Sequence, residues 1–257
     1  QWIGGLGIVF FTIAVLPSLV GGNMKVFAAE ATGPIKSKMH PRLSTTAKWI
    51  WSIYSLLTIT CILSFHLAGM GWFDSVCYSM TTNATGGFAP HNESVAYFKS
   101  PLIEYIEILF QFLAGINFIL LYTAIFKRKW KDMYRNSEFR LYVAIVTIST
   151  IWISWLLVFR LGYDVEHALR CGLFQVVSFI TTTGLFNDDA GQWPHITWVI
   201  LGCCMFAGAC AGSTSGGFKC VRSIIILKVM RNEFKRILHP NAVLPVKING
   251  MSVPQSK

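Results

Sequence analysis

Charged residues are scarce in this sequence and make up 13% of its 257 residues. Soluble globular domains carry about a quarter, so the chain lacks the polar surface that a water-soluble fold needs. It also lacks a starting methionine and the charged, apolar and small-residue regions of a signal peptide. We therefore expect a polytopic membrane protein. The abrupt start inside an apolar run predicts a fragment cut at its N-terminus.

Acidic residues are scarcer than basic ones: the sequence has 12 Asp and Glu and 22 Lys and Arg, which gives a net charge of +10. A basic excess can indicate nucleic acid binding, but these basic residues lie between apolar runs. They crowd the loops that follow the first apolar run, residues 101–126 and residues 218–230. The positive-inside rule predicts that these loops are cytoplasmic. Membrane lipid is the expected surrounding, and no nucleic acid partner is expected.

Motifs for nucleotide, metal and hydrolytic chemistry are also missing. The sequence has no G-K-[ST] step, and residues 212–216 depart from G-x-S-x-G because the central residue is Thr214. The seven cysteines show no metal-ligand spacing and are interpreted as small packing residues, neither a disulfide framework nor a zinc site. We expect no enzyme and no covalently bound cofactor. A membrane-embedded enzyme using Asp188, Asp189 or His91 is the remote alternative.

The apolar runs predict an all-α polytopic membrane protein. Residues 73–82 and 165–180 are too short to cross a bilayer, which takes about 20 apolar residues, and both end in Thr/Gly turns. These two are predicted to be re-entrant helices. Full helices are predicted over residues 2–20, 49–68, 101–126, 141–161, 195–206 and 218–230.

An internal repeat arranges these segments as a span, a re-entrant helix, a Thr/Gly turn and a span that begins with proline. The alignment places Thr85-Gly86 on Thr183-Gly184, and Phe88 on Phe186. The predicted units are residues 1–48 (second helix of a truncated repeat and a cytoplasmic loop), 49–140 and 141–231 (complete repeats) and 232–257 (a cytoplasmic linker to a missing repeat).

The proline-started spans share a second feature. Each carries an Ala-Gly step at the same distance from its proline, Ala114-Gly115 and Ala207-Gly208. In the first of these spans, Glu104 and Glu107 are expected to complement the dipole at the helix start.

The two Thr/Gly turns predict segments of an ion selectivity filter. In potassium-channel-type pores, carbonyls from four such loops replace the water shell of the ion. Glycine readily takes the positive φ angles that turn successive carbonyls toward one axis. A Thr-rich helix end capped by Gly184 is the alternative, but it does not explain the second copy. Four loops are needed and two are present, so further units are expected beyond both ends.

Residues 208–217 predict an intramembrane gate, because a run so dense in glycine and hydroxyl groups unwinds a helix. The alternative is a small-residue patch for helix packing. Lys219 is expected to meet cytoplasmic water below the gate, with an electrostatic role in gating as the second interpretation. The acidic residues of the opposite side either concentrate cations at the outer mouth or form a solvated rim; they include Asp74, Glu93, Asp188 and Asp189.

Residues 1–8, 86–88, 181–184 and 212–217, in this order, resemble the Trk/Ktr/HKT superfamily of cation transporters. The resemblance covers essentially the whole chain, and the stretch at 239–247 is more similar to the bacterial TrkH branch than to KtrB.

The resemblance implies a potassium uptake subunit, with four tandem helix–pore-loop–helix units, in the bacterial inner membrane. It also implies a homodimer and a cytoplasmic TrkA-like regulatory partner, which alone would bind nucleotide. A KtrB-like or sodium-permeable transporter is the alternative, because the first filter segment lies outside the sequence.

The resemblance assigns K⁺-binding filter positions, acting mainly through backbone carbonyls, to Ala84, Thr85, Gly86, Gly87, Thr182, Thr183, Gly184 and Leu185. It assigns the gate to Gly208, Gly212, Ser213, Thr214, Ser215, Gly216 and Gly217, with Ser215 standing where the TrkH branch often has glycine.

Overall fold

The computed structural model describes residues 1–6 and 43–238 and two short strands, 247–248 and 251–252. Most of the predicted unit 1–48, most of the predicted span 2–20 and residues 239–246 of the tail stretch lie outside the described residues. The helices are α1 (Trp2–Gly5), α2 (Leu43–Leu67), α3 (Trp72–Ala84), α4 (Pro101–Ala114), α5 (Phe118–Ile125), α6 (Trp130–Arg135), α7 (Ser137–Leu161), α8 (Val165–Ile180), α9 (His195–Ala207) and α10 (Cys220–Leu238), with 3₁₀ turns at Ser94–Phe98 and Ala190–Gln192 and an antiparallel strand pair, β1 (Lys247–Ile248) and β2 (Met251–Ser252).

Among the described residues, two single helices are long and apolar enough to cross a membrane, within Ala47–Leu67 of α2 and along Ser137–Leu161 of α7. Only a third of the most apolar part of each is buried, and Ile148 and Ile151 are more than half exposed. Apolar side chains that face outward along a whole helix suit lipid surroundings. Helix α7 begins before the predicted start at residue 141 because Asn136 caps it, accepting hydrogen bonds from two backbone N–H groups.

The predicted continuous helix over residues 101–126 is wrong. Helices α4 and α5 are separated by a break at residues 115–117 and meet at an angle of 104°. A Cβ atom on Gly115 would lie 2.5 Å from the Tyr142 hydroxyl, so only glycine fits the approach of α7. The Asn117 side chain then caps α5 by accepting a hydrogen bond from Ile119 N at 2.8 Å. The break follows the Ala114-Gly115 step, and the Asn117 cap then begins α5 as a separate helix.

The repeat prediction agrees with the packing. Helix α3 lies against α2, and α8 lies against α7, so each short helix folds back on the span before it. Helix α8 also contacts α4 of the other repeat, which joins the two repeats. The all-α fold of tandem helix–pore-loop–helix repeats is therefore confirmed.

Candidate ion pathway

The first Thr/Gly turn ends α3 and reverses the chain. Backbone N–H groups of Thr85 and Gly86 donate to the carbonyls of Thr82 (3.1 Å) and Thr81 (2.9 Å). Thr85 and Gly87 have positive φ angles, 51° and 79°. Two left-handed residues with one between them turn the backbone out of the helix within three residues.

The second turn repeats this geometry. Backbone N–H groups of Thr182 and Thr183 donate to the carbonyls of Phe179 (3.0 Å) and Ser178 (2.8 Å). The positive φ angles fall on Thr182 (57°) and Gly184 (84°). The two copies therefore have one backbone conformation, although their sequences differ.

This shared geometry corrects the sequence alignment by one residue. Thr85 corresponds to Thr182 and Gly87 to Gly184, since these pairs share hydrogen-bond pattern and φ sign. Matching the Thr-Gly dipeptides placed Gly86 on Gly184, but Gly86 does not have a positive φ in this structure. Structurally, residues 84–87 therefore correspond to residues 181–184.

The two turns lie side by side. A Cβ atom on Gly87 would collide with the carbonyl oxygen of Thr183. Past the turns, Val95 N donates to Phe186 O at 3.1 Å, and Phe186 N donates to the Ser94 hydroxyl at 3.2 Å. The two Thr/Gly turns and the segments that follow them are thus in contact across the two repeats.

The predicted gate segment, 208–217, is an irregular loop between α9 and α10. It occupies the break between α4 and α5: Cys210 N donates to Gly115 O at 3.1 Å, and Phe118 N donates to Gly212 O at 3.0 Å. Backbone groups that the broken helix leaves unpaired are thus satisfied by the loop. Non-helical backbone at membrane depth requires such partners.

The gate loop also touches both filter turns. The Thr85 hydroxyl donates to Thr214 O at 2.9 Å, and Gly216 N donates to the Thr182 hydroxyl oxygen at 2.7 Å. All seven predicted gate positions lie in this loop, and its central residues lie directly against the filter threonines.

The placement predicted for Lys219 in cytoplasmic water is wrong. Its side chain is buried, and Nζ donates to the carbonyl oxygen of Ser215 and to the Ser215 hydroxyl, the latter at 3.2 Å. Glu138, in the first turn of α7, accepts a hydrogen bond from Ala211 N in the same loop. The loop is thus held by an ammonium and a carboxylate. The short separation of Ser215 and Lys219 in the sequence was a usable sign of their contact. No local feature of the sequence indicates the contact between Glu138 and Ala211.

Two buried carboxylates, Glu104 and Glu107, support the two turns. The prediction that they complement the dipole at the start of a helix did not include these contacts. Glu107 is fully buried and accepts hydrogen bonds from the Thr82 hydroxyl at 2.6 Å and from Gln111 Nε2 at 2.8 Å. Glu104 accepts from Asn187 Nδ2 at 2.5 Å and lies 3.4 Å from the Arg170 guanidinium. Glu107 holds the last turn of α3, and Glu104 holds the segment after the second filter turn.

The acidic residues beyond the second turn make specific contacts, and Asp189 is also exposed to solvent. Asp188 Oδ2 accepts hydrogen bonds from the Tyr163 hydroxyl at 3.1 Å and Trp193 Nε1 at 3.0 Å. Burial, followed by the negative charge of Asp188, raises the pKa of the Tyr163 hydroxyl, so this group remains a donor at neutral pH. Asp189 accepts a hydrogen bond from Gly191 N at 2.9 Å.

Comparison with known proteins identifies a family. The family model described as "TrkH: Cation transport protein" matches residues 1–256. The Trk system potassium uptake protein TrkH of Salmonella typhimurium is 40% identical over 257 residues, 99% of this chain and 53% of that protein. The Trk system potassium uptake protein TrkG of Escherichia coli is 37% identical over 255 residues, 98% of this chain and 52% of that protein.

A solved structure agrees with these relatives. The crystal structure of the potassium transporter TrkH from Vibrio parahaemolyticus matches with a TM-score of 0.81 and 36% identity, over 99% of this chain and 52% of that one. The chain thus spans about half the length of the relatives that it matches.

Proposed function

The chain belongs to the TrkH family of cation transport proteins, and on that premise we propose that it forms part of a potassium uptake protein. Like its relatives it is an integral membrane protein. The observation that supports potassium passage is the pair of adjacent turns at residues 84–87 and 181–184, each with two positive φ angles. Carbonyls held at such turns can replace water around a dehydrated cation.

The filter positions in this proposal are Ala84, Thr85, Gly86, Gly87, Thr182, Thr183, Gly184 and Leu185, with K⁺ as transported substrate bound mainly by backbone carbonyls. Thr85 and Thr182 have a second role, because their hydroxyl groups contact the gate loop. Residues 208–217 form the gate, since the loop lies against the filter and is held at both sides by Glu138 and Lys219.

The partners proposed are a second copy of the protein and a cytoplasmic TrkA-like regulatory subunit that carries the nucleotide. Support comes from the family and from α10, which is basic in its last turn and largely exposed after the gate loop. Bacterial inner membrane is the proposed location. Co-purification of a nucleotide-binding subunit with the tagged protein, lost when the basic residues of α10 are neutralised, tests the regulatory contact.

The test of function is growth rescue. Expression from the full open reading frame, in a bacterial strain without its own potassium uptake, should restore growth at low external potassium. Uptake of potassium should exceed that of sodium. Membrane insertion without growth rescue contradicts the proposal, and equal uptake of the two ions favours the sodium-permeable alternative.

A further inference from the structure

Three metal-ligating side chains converge at the start of α8. His167 and Cys171 are one helical turn apart on the same face of that helix, and Asp188 reaches them from the segment after the second filter turn. One ligand atom from each residue lies within 4.8 Å of the other two. The chain reversal at residues 181–184 brings Asp188 back to this end of α8. The i,i+4 spacing of His167 and Cys171 is visible in the sequence, but the interpretation of the cysteines as packing residues did not include it, and the third side chain comes from a separate segment.

The Cys171 thiol lies beside the His167 ring at nearly equal distances from both ring nitrogens, so the imidazole has to rotate about its side-chain torsions before Nδ1 and the thiol can share a metal ion. Cys171 Sγ lies 3.6 Å from His167 Nδ1 and 3.8 Å from Nε2. A tetrahedral zinc ion with Zn–S of about 2.3 Å and Zn–N of about 2.0 Å places sulfur and nitrogen roughly 3.5 Å apart. The Asp188 carboxylate has to approach by about 1 Å to complete such a site, a movement within the range of its side-chain torsions.

Surrounding groups hold two of the three ligands in place. Tyr163 and Trp193 donate hydrogen bonds to Asp188 Oδ2, and the Asn187 amide donates to Cys171 Sγ at 3.5 Å. Partners of this kind orient metal ligands and raise affinity. Cys171 is buried, while His167 and Asp188 are half-buried, so an ion can enter from one side.

Arg170 competes with a metal ion for the Nδ1 atom of His167. One of its guanidinium nitrogens lies 3.1 Å from His167 Nδ1, the nitrogen closer to the thiol. Arg170 also lies 3.4 Å from Glu104 and 3.2 Å from Glu166. A metal ion on Nδ1 therefore displaces the guanidinium toward two carboxylates that already attract it.

We propose that His167 Nδ1, Cys171 Sγ and a carboxylate oxygen of Asp188 bind a borderline-soft divalent cation of the Zn²⁺ type, with water as the fourth ligand. Binding deprotonates the Cys171 thiol and releases the proton to solvent, so affinity rises with pH. Thiolate and imidazole ligands favour Zn²⁺ and Cd²⁺ over Mg²⁺ and Ca²⁺. The bound ion would tie the segment after the second filter turn to α8. The site is independent of which ion is transported.

The primary experiment uses the unaltered, purified protein. Titration with Zn²⁺ against a chromophoric chelator should show one site for each chain. Cd²⁺ should produce the ultraviolet absorption of a sulfur-to-metal charge transfer. Absence of that absorption overturns the proposal, whatever the variants do.

Variants then locate the site. Cys171→Ser, His167→Gln and Asp188→Asn should each lower Zn²⁺ affinity at least about 10-fold, while Asn keeps an acceptor for Tyr163 and Trp193. The matched controls are Cys203→Ser and His195→Gln, which are both exposed and are not members of the three-residue cluster. If the controls lose affinity and the three ligand variants keep it, the proposal is wrong. Removing the competing cation with Arg170→Gln should raise affinity, and an unchanged or lower affinity in a folded variant contradicts the competition.

Discussion

The hydroxyl oxygen of Thr182 accepts a hydrogen bond from Gly216 N at 2.7 Å, which joins a filter turn directly to the gate loop. Thr85 makes the corresponding contact from the other repeat, donating to Thr214 O at 2.9 Å. Threonines at structurally equivalent positions thus contact one loop, one as acceptor and the other as donor. Movement of residues 208–217 away from the two turns has to break both bonds, so this loop is physically coupled to both Thr/Gly turns.

Thr182→Val removes the acceptor for Gly216 N while keeping the shape of the side chain. A hydrogen bond of this kind contributes about 0.5–1.5 kcal/mol, so the closed loop should be destabilised and basal potassium flux should rise roughly 2- to 10-fold. Uptake rates in cells without other potassium transporters give the measurement. Thr182→Ser keeps the hydroxyl and should retain the original rate; equal flux in all three proteins would show that the bond does not hold the loop.

Glycine substitutions test the one-residue correction of the alignment. Gly87→Ser should lower the preference for potassium over sodium strongly, because φ is 79° and the new Cβ atom meets the Thr183 carbonyl. Gly184→Ser should act in the same direction, since a left-handed φ of 84° costs a non-glycine residue about 1–3 kcal/mol.

Gly86→Ser is the matched comparison. Its φ angle is not in the left-handed region, and the added atom meets the end of the Gln1 side chain rather than backbone. Its effect on the relative uptake of the two ions should be smaller than that of Gly87→Ser. If Gly86→Ser changed the relative uptake more than Gly87→Ser, the alignment of Thr85-Gly86 with Thr183-Gly184 would be the correct one.

Deleting residues 212–216 should raise basal flux, because it removes the contacts to both filter threonines. The measurement is potassium uptake at matched amounts of membrane-inserted protein. Flux that falls or stays constant would mean that the loop supports the fold rather than closing the pore.

Glu138→Ala should destabilise the closed loop by about 1–3 kcal/mol, since it leaves the buried Ala211 N–H without an acceptor. We expect a lower midpoint of thermal unfolding in detergent together with higher basal flux. Glu138→Gln keeps an acceptor oxygen, so its unfolding midpoint and its basal flux should lie between those of the unaltered protein and Glu138→Ala. A stable Glu138→Ala protein with ordinary flux would contradict this role.

Arg170→Met should destabilise the fold by about 3–5 kcal/mol, because it leaves the buried Glu104 carboxylate without its cation. Adding Glu104→Gln should recover part of the loss, since the remaining amide no longer carries a buried charge. Unfolding of the two single variants and the double variant forms a thermodynamic cycle. Strict additivity of the losses would show that the two groups do not interact.

The sequence was sufficient for features that depend on local chemistry. The short apolar helices and their Thr/Gly ends predict the re-entrant turns, and the density of glycine and hydroxyl groups predicts an irregular segment at 208–217; both are present. The break after α4 was not predicted: Ala114-Gly115 was interpreted only as a feature shared by the two repeats, and ending the helix there depends on Asn117 and on the close approach of Tyr142.

Features that depend on distant partners were beyond the sequence. Glu138 contacts Ala211, Glu104 contacts Arg170 and Asn187, and Lys219 is buried, because the fold closes over these residues. The alignment error has a related cause. Two glycines follow Thr85 and only the second carries the left-handed φ angle, which is set by the hydrogen bonds of the turn rather than by residue type.

The break between α4 and α5 makes the two repeats non-interchangeable. The first repeat supplies a break at which Gly115 O and Phe118 N have no partner within their own helices, and the second supplies the loop whose Cys210 N and Gly212 O pair with them. A chimera with two copies of the first repeat would contain two helix breaks and no loop to pair with them. A chimera with two copies of the second repeat would contain two loops and no break. The two repeats are therefore complementary at this contact, and a change in the break requires a compensating change in the loop.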